Sequence, residues 1–317
     1  MLSMNRVLVT GGAGFLGSHL CAELMKNPEN HVTALDNLST GKKENLAPLL
    51  GSSRFRFIEG DVRRPFDVPA DQIYHAAAPA SPKAYQLSPT ATMQTCVMGM
   101  VNALELAKKY NAKIVQFSTS EVYGNPLVHP QKEEYFGNVN PIGVRSCYDE
   151  GKRCAESLCF DYHREFGVRV KIVRIFNTYG PRMDVGDGRV VSNFIVQALR
   201  GEPITIHGDG SQTRSFCYVD DMAQGLLRMM NGTDEDFHGP VNLGNPEEIQ
   251  VKALARKILE MTGSSSRMVY LPLPGDDPVQ RRPDISLAME KLGWKPEISL
   301  DAGLEKTIAY FRGMMKP

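Results

Sequence analysis

No apolar run in this sequence approaches the roughly 20 residues of a membrane-spanning helix, and it has no low-complexity stretch or internal repeat. A membrane span and a repeat array are both poor readings of such a chain. It also lacks a charge excess, because 36 basic residues balance 36 acidic ones. Net charge therefore gives no reason to expect nucleic acid or an anionic membrane as a partner. The six cysteines include no C-x-x-C pair, and the seven histidines are scattered singly. No metal site is expected from that spacing. Reduced, mostly buried thiols in a cytoplasmic protein are the better reading. Cys147, without a nearby histidine partner, reads as structural, and the single tryptophan, Trp294, reads as packing. With a strand expected by Arg6, no secretory signal is expected ahead of it.

What the chain does have begins at its amino end. The apolar run Val7-Leu8-Val9-Thr10 reads as a buried parallel strand. It leads into Gly11-Gly12-Ala13-Gly14-Phe15-Leu16-Gly17 and then a helical pattern over 18–26. Glycines there let the backbone approach a pyrophosphate, whose charge sits at the positive end of the helix. The spacing is G-x-x-G-x-x-G rather than G-x-G-x-x-G. A second strand over 31–35 ends at Asp36, where a carboxylate would hold the adenosine ribose hydroxyls and repel a 2′-phosphate. NAD is thereby favoured over NADP.

Strand and helix patterns go on alternating, through strands at 55–58, 72–75, 113–117 and 170–175 and a helix at 90–110. At 317 residues the chain can bury a sizeable core. The expected fold is α/β, a Rossmann-type doubly wound parallel sheet, with a smaller C-terminal substrate-binding lobe. Residues 1–180 would form the NAD-binding domain and 181–317 the lobe, with some segments returning to the main sheet. Asp61 stands where an adenine amino group would lie. Ligands of such sheets bind at the carboxyl ends of strands, and Thr119, Glu121 and Asn177 fall there.

Tyr148 and Lys152, four residues apart, lie on one face of a helix. An ammonium beside a phenol stabilises the phenolate, so Lys152 is expected to lower the Tyr148 pKa from its ordinary value of about 10. The pair suits removal of a proton from an alcohol while hydride leaves for a nicotinamide.

These residues resemble the extended short-chain dehydrogenase/reductase superfamily over nearly the whole chain. The resemblance runs through GGAGFLGSHL, STSEVYG, Tyr148-x-x-x-Lys152, RIFNTYGPRM, GDGSQTRSFCYVDD, VNLGNP and LGWKP. Within it the chain is most similar to the UDP-glucuronate decarboxylases, through Glu121-Val122-Tyr123-Gly124, His129-Pro130-Gln131, residues 145–153, and Asp277-Pro278 with Arg281-Arg282-Pro283-Asp284. The resemblance implies an NAD-retaining enzyme that oxidises C4 of UDP-glucuronate, loses carbon dioxide from the resulting β-keto acid, and reduces the product to UDP-xylose. Thr119, Tyr148 and Lys152 would act at C4, Glu121 would position a proton or water at C5, and Arg281 would bind the carboxylate. Cofactor contacts would come from Gly11, Gly14, Phe15, Leu16, Asp36, Asn37, Ser39, Thr40, Gly41, Asp61, Val62, Ala76, Ala78, Thr95, Tyr148, Lys152, Thr178 and Arg189. Substrate contacts would come from Ser120, Asn177, Arg182, Arg214 and Arg281, with Arg189 near the nucleotide pocket.

Ser120 separates neighbouring activities. Sugar-nucleotide 4,6-dehydratases carry an aspartic acid there, whereas 4-epimerases usually lack the carboxylate at Glu121. Two departures stand out: Gln94 is expected to weaken a substrate contact, and Cys96 replaces an amide. Val97, Val101, Leu104 and Leu158 read as surplus apolar positions on two helices, implying a homodimer through a four-helix bundle.

Overall fold

A computed structural model describes residues 4–273, 275, 278 and 280–315. Asp277, quoted above for the resemblance, lies outside the described residues. The sheet's strands are β1 (Asn5–Thr10), β2 (Asn30–Asp36), β3 (Phe55–Glu59), β4 (Gln72–His75), β5 (Lys113–Thr119) and β6 (Arg169–Ile175). Between them run α1 (Phe15–Leu24), the short α2 (Pro82–Leu87), α3 (Pro89–Tyr110) and α4 (Ser146–Phe166). The second half contributes β7 (Thr178–Tyr179), α5 (Val190–Arg200), β8 (Ile204–His207), β9 (Thr213–Ser215), β10 (Cys217–Tyr218) and α6 (Val219–Asn231). It continues through β11 (Val241–Leu243), β12 (Glu248–Gln250), α7 (Val251–Thr262), β13 (Met268–Leu271), β14 (Gln280–Arg281), α8 (Ser286–Leu292) and α9 (Leu300–Met314).

Seven strands pair in the order β11-β6-β5-β4-β1-β2-β3, every pairing parallel. A parallel sheet covered on both faces needs apolar residues on both sides of each strand. In β1 the alternation is visible residue by residue. Val7 and Val9 join the core formed by α1, α6 and α8, while Leu8 joins the opposite core formed by α3 and α4. A third core, built by α5, α7, α9 and β8, fills the C-terminal lobe.

The second half does not stay in that lobe, since β11 pairs with β6 at the sheet edge and α6 packs into the sheet's own core. Trp294 is a packing residue, 2% exposed, whose indole donates to the Asp221 carbonyl at 2.9 Å. One expectation is corrected on α3. Leu104 is fully buried against the sheet and is not surplus, because the helix turns it into the core with Met100 and Ala107.

Gln131 joins the two halves. Its backbone N–H donates to the Arg282 carbonyl at 2.9 Å, and its carbonyl accepts from the Asp284 N–H at 2.8 Å. Its side-chain Oε1 accepts from the Arg282 N–H at 2.8 Å, and Nε2 donates to the Val128 carbonyl at 2.8 Å. The residue has no exposed surface. Gln131→Leu removes both side-chain bonds and frees the partly buried Arg282 N–H and Val128 carbonyl, each costing up to about 1–3 kcal/mol. Equilibrium urea denaturation is expected to report a loss in that range or up to twice it; an unchanged midpoint would contradict the clamp.

Candidate active site

A cavity of about 1080 Å3 lies at the carboxyl ends of the strands, between the sheet and the C-terminal lobe. That is where ligands of a doubly wound sheet bind, at the point where strand order reverses beside β1. Of the residues expected at the site, all but Asp61 line this cavity. Asp61 lies between the lining residues Gly60 and Val62, and its carboxylate pairs with the Arg63 guanidinium at 2.5 Å. Gln94 is corrected, since it is exposed on α3 and does not line the cavity. Cys96 is buried and packs with Tyr85, Cys147 and Tyr148.

The glycine turn is built for close approach. Gly11 has φ +70, and a Cβ at Gly17 would lie 2.1 Å from the Gly11 carbonyl oxygen. No side chain caps α1 at Gly14, so its first-turn N–H groups point into the cavity mouth with partners still to find. Asp36 closes the far side, where its Oδ2 accepts from the Ala13 N–H at 3.0 Å and its Oδ1 from the Leu38 N–H at 2.8 Å. A cradle, a helix end and a carboxylate at the end of β2 fit a dinucleotide.

Tyr148 and Lys152 share the inner face of α4, both buried. The expected effect of Lys152 on the phenol is corrected. Burial pushes the Tyr148 phenol up rather than down, against a hydrogen bond from Thr119 that lowers it. The Lys152 ammonium donates to the Phe117 carbonyl at 2.7 Å and lies 5.9 Å from the centre of the Tyr148 ring. Burial in turn pulls the Lys152 pKa down.

Glu121 lies on the 3-10 turn Ser120–Tyr123 that follows β5. Its carboxylate pairs with the Arg145 guanidinium and with Arg281 Nη2 at 3.3 Å. Burial pushes Glu121 up, but Arg281 and Arg145 outweigh it and hold the carboxyl well below its ordinary range. Arg281, 1% exposed, also donates to the Ser120 carbonyl, and to the Gly124 carbonyl at 3.0 Å.

Three further polar residues of the site have partners of their own. Arg189 pairs with Asp187 at 2.5 Å, and Arg214 donates to the Thr213 and Pro278 carbonyls. The Thr178 hydroxyl donates to the Phe176 carbonyl at 2.9 Å. Arg182 differs, for its Nη1 is buried without a hydrogen-bond partner among the described residues.

Two residues were missed as site residues. Tyr85 stacks flat on Tyr148, with ring centroids 5.2 Å apart, and fixes the phenol's plane. The signal was Ser81-Pro82, a helix cap followed by a first-turn proline that starts α2. Arg145 was quoted only as part of a motif, although it closes the second ion pair on Glu121.

A sequence profile of the NAD dependent epimerase/dehydratase family matches residues 7–244. The chain belongs to this family. The family member UDP-glucuronic acid decarboxylase 6 of Arabidopsis thaliana is 56% identical over 94% of this chain and 86% of its own length. UDP-glucuronic acid decarboxylase 1 of Xenopus tropicalis is 51% identical over 97% of this chain and 72% of its own. Among solved structures, UDP-glucuronic acid 4-epimerase of Bacillus cereus, in complex with UDP-glucuronic acid and NAD, superposes with a TM-score of 0.90. It is 31% identical, and the match covers 98% of this chain and 99% of that one.

Gly17→Ala puts a methyl group into the Gly11 carbonyl and forces the turn apart. The parent protein is expected to purify with NAD bound, measurable as released nucleotide, and the variant without it. Equal retention by both would remove the glycine turn from the binding site.

Proposed function

We propose that the chain decarboxylates UDP-glucuronate to UDP-xylose through a UDP-4-keto intermediate, with NAD recycled in place. One observation carries the reading: an oxidation centre (Thr119, Tyr148, Lys152) stands directly beside a buried guanidinium-carboxylate cluster (Arg281, Glu121, Arg145). A substrate with an alcohol next to a carbon bearing a carboxylate matches both halves. The decarboxylase relatives, 51–56% identical over nearly the whole chain, support it.

Gly11, Gly14, Asp36, Tyr148 and Lys152 would hold NAD. Bound there, NAD would supply the acceptor and later the donor of the C4 hydride, and its cationic ring would add positive charge beside the buried phenol. Tyr148 takes the C4 hydroxyl proton and gives it back, with Thr119 steadying the phenol. Arg281 would set a buried positive charge toward the carboxylate. The Ser120 and Gly124 carbonyls and Glu121 already hold the guanidinium, so little orientation is lost on binding. Arg182, with an unsatisfied buried nitrogen, suits the diphosphate.

The Bacillus cereus 4-epimerase holds the same sugar nucleotide, so 4-epimerisation is the second reading. The product separates them. Incubation with UDP-glucuronate and catalytic NAD is expected to yield a nucleotide sugar lighter by one carbon dioxide, without stoichiometric NADH. A product of unchanged mass would establish epimerisation instead. In the same assay Arg281→Lys is expected to weaken UDP-glucuronate by about 2–5 kcal/mol and to leave UDP-glucose binding nearly unchanged. Equal weakening of both would make Arg281 structural.

We also propose a cytoplasmic homodimer. Its six cysteines are all unpaired, and among the described residues no helix is long and apolar enough to cross a membrane. On α3 and α4, Val97, Val101 and Leu158 are only partly buried, and Met98 is 47% exposed. Pairing these helices across a two-fold axis would cover them. Sedimentation at micromolar concentration is expected to show a dimer, and a monomer would refute the pairing.

A further inference from the structure

Losing carbon dioxide from a uronate consumes one proton. The C5–C6 electron pair stays behind as an enolate, and C5 must then be protonated. The Tyr148 proton is not available for this, because it belongs to the C4 oxygen and returns there. Glu121 is not available either, since it is ionised between two guanidinium groups. The proton must come from water or from a third group near the site.

Asp149 follows Tyr148 on α4. It is 5% exposed, and its Oδ1 is buried with no hydrogen-bond partner among the described residues. A bare carboxylate oxygen in that position is unfavourable unless it is protonated or meets water. It lines a second cleft of about 220 Å3, whose wall also carries the exposed Asn125, Asn138 and Asn140 and the buried Arg145. Arg145 lines both this cleft and the main cavity. Arg145, paired with Glu121, therefore stands between Asp149's cleft and the main cavity.

We propose, on the decarboxylase reading above, that Asp149 holds the proton destined for C5 and delivers it through the water of this cleft beside Arg145. The carboxyl O–H bond breaks, its electron pair stays on Asp149, and the enolate pair forms the C5–H bond. Solvent then reprotonates Asp149 through the asparagine-lined mouth, so no other reactant is needed. Every charged or titratable group around it fits the role. Burial, then the Glu121 charge, push the Asp149 carboxyl up to about 7, with Glu150 adding to them against Arg145 and Arg281. Tyr85 and Cys147, which also face it, are themselves pushed up by burial and do not compete for the proton's charge.

The test is the pH profile of turnover by the NAD-loaded enzyme on UDP-glucuronate. The parent is expected to slow above pH of about 7, as Asp149 loses its proton. D149N is expected to turn over roughly a hundredfold more slowly or worse, without that alkaline fall and with NAD content unchanged. D149E is expected to restore much of the rate, with its alkaline fall shifted. A D149N variant at full rate, or one slowed with the parent's alkaline fall intact, would overturn the proposal. If D149N does not fold, a D149E profile superimposable on the parent's overturns it equally. A parent that releases no carbon dioxide from UDP-glucuronate overturns the decarboxylase reading itself, and the proton inlet with it.

Discussion

Arg281 is an almost wholly buried cation, and much of the site depends on how its charge is met. A guanidinium in the interior is tolerated only when its donors are satisfied and an opposite charge is close. Here the carbonyls of Ser120 and Gly124 and the carboxylate of Glu121 provide both. These acceptors sit on the turn after β5, while Arg281 comes from β14, in register with Arg214 on β9. The interaction therefore fastens the C-terminal lobe to the end of the sheet that carries Thr119. It also fixes the ionisation of Glu121, which makes that residue an anchor for cations and water rather than a source of protons.

The parts of this arrangement legible in the sequence were the local ones. The buried strands announced themselves as apolar runs, and the glycine turn by spacing. The helix expected at 90–110 is found as α3, Pro89–Tyr110, because it repeats its apolar face over several turns. The lobe's short strands were not legible. β9 has three residues and is held by β12 on one side and β14 on the other, so its existence depends on segments far along the chain.

The same limit applied to chemistry. Tyr148 and Lys152 do share a helix face, but the ammonium also donates to the Phe117 carbonyl, 35 positions earlier. Burial, a property of the assembled fold, then raised a phenol that spacing alone would have lowered. The partners of Glu121 stand 24 and 160 positions away, beyond the reach of any local pattern. Net charge misled in a milder way. A chain balanced at 36 against 36 still places Arg145, Arg182, Arg189, Arg214 and Arg281 around one cavity. Composition counts charges but not where they are gathered.

The return of β11 to the edge of β6 bears on how the protein is made. The chain leaves the sheet after β6, comes back with α6 and β11, leaves again, and re-enters with α8. During synthesis the first 180 residues can pair six strands, yet the β6 edge stays open until residue 243 has emerged. Until then a buried-type strand offers unpaired backbone groups and apolar side chains to any neighbour. Cutting the chain at the apparent boundary between nucleotide domain and lobe would make that exposed edge permanent. The two halves that look separable on paper are interlaced by topology, and the nucleotide-binding half reaches its covered form only with the help of the other.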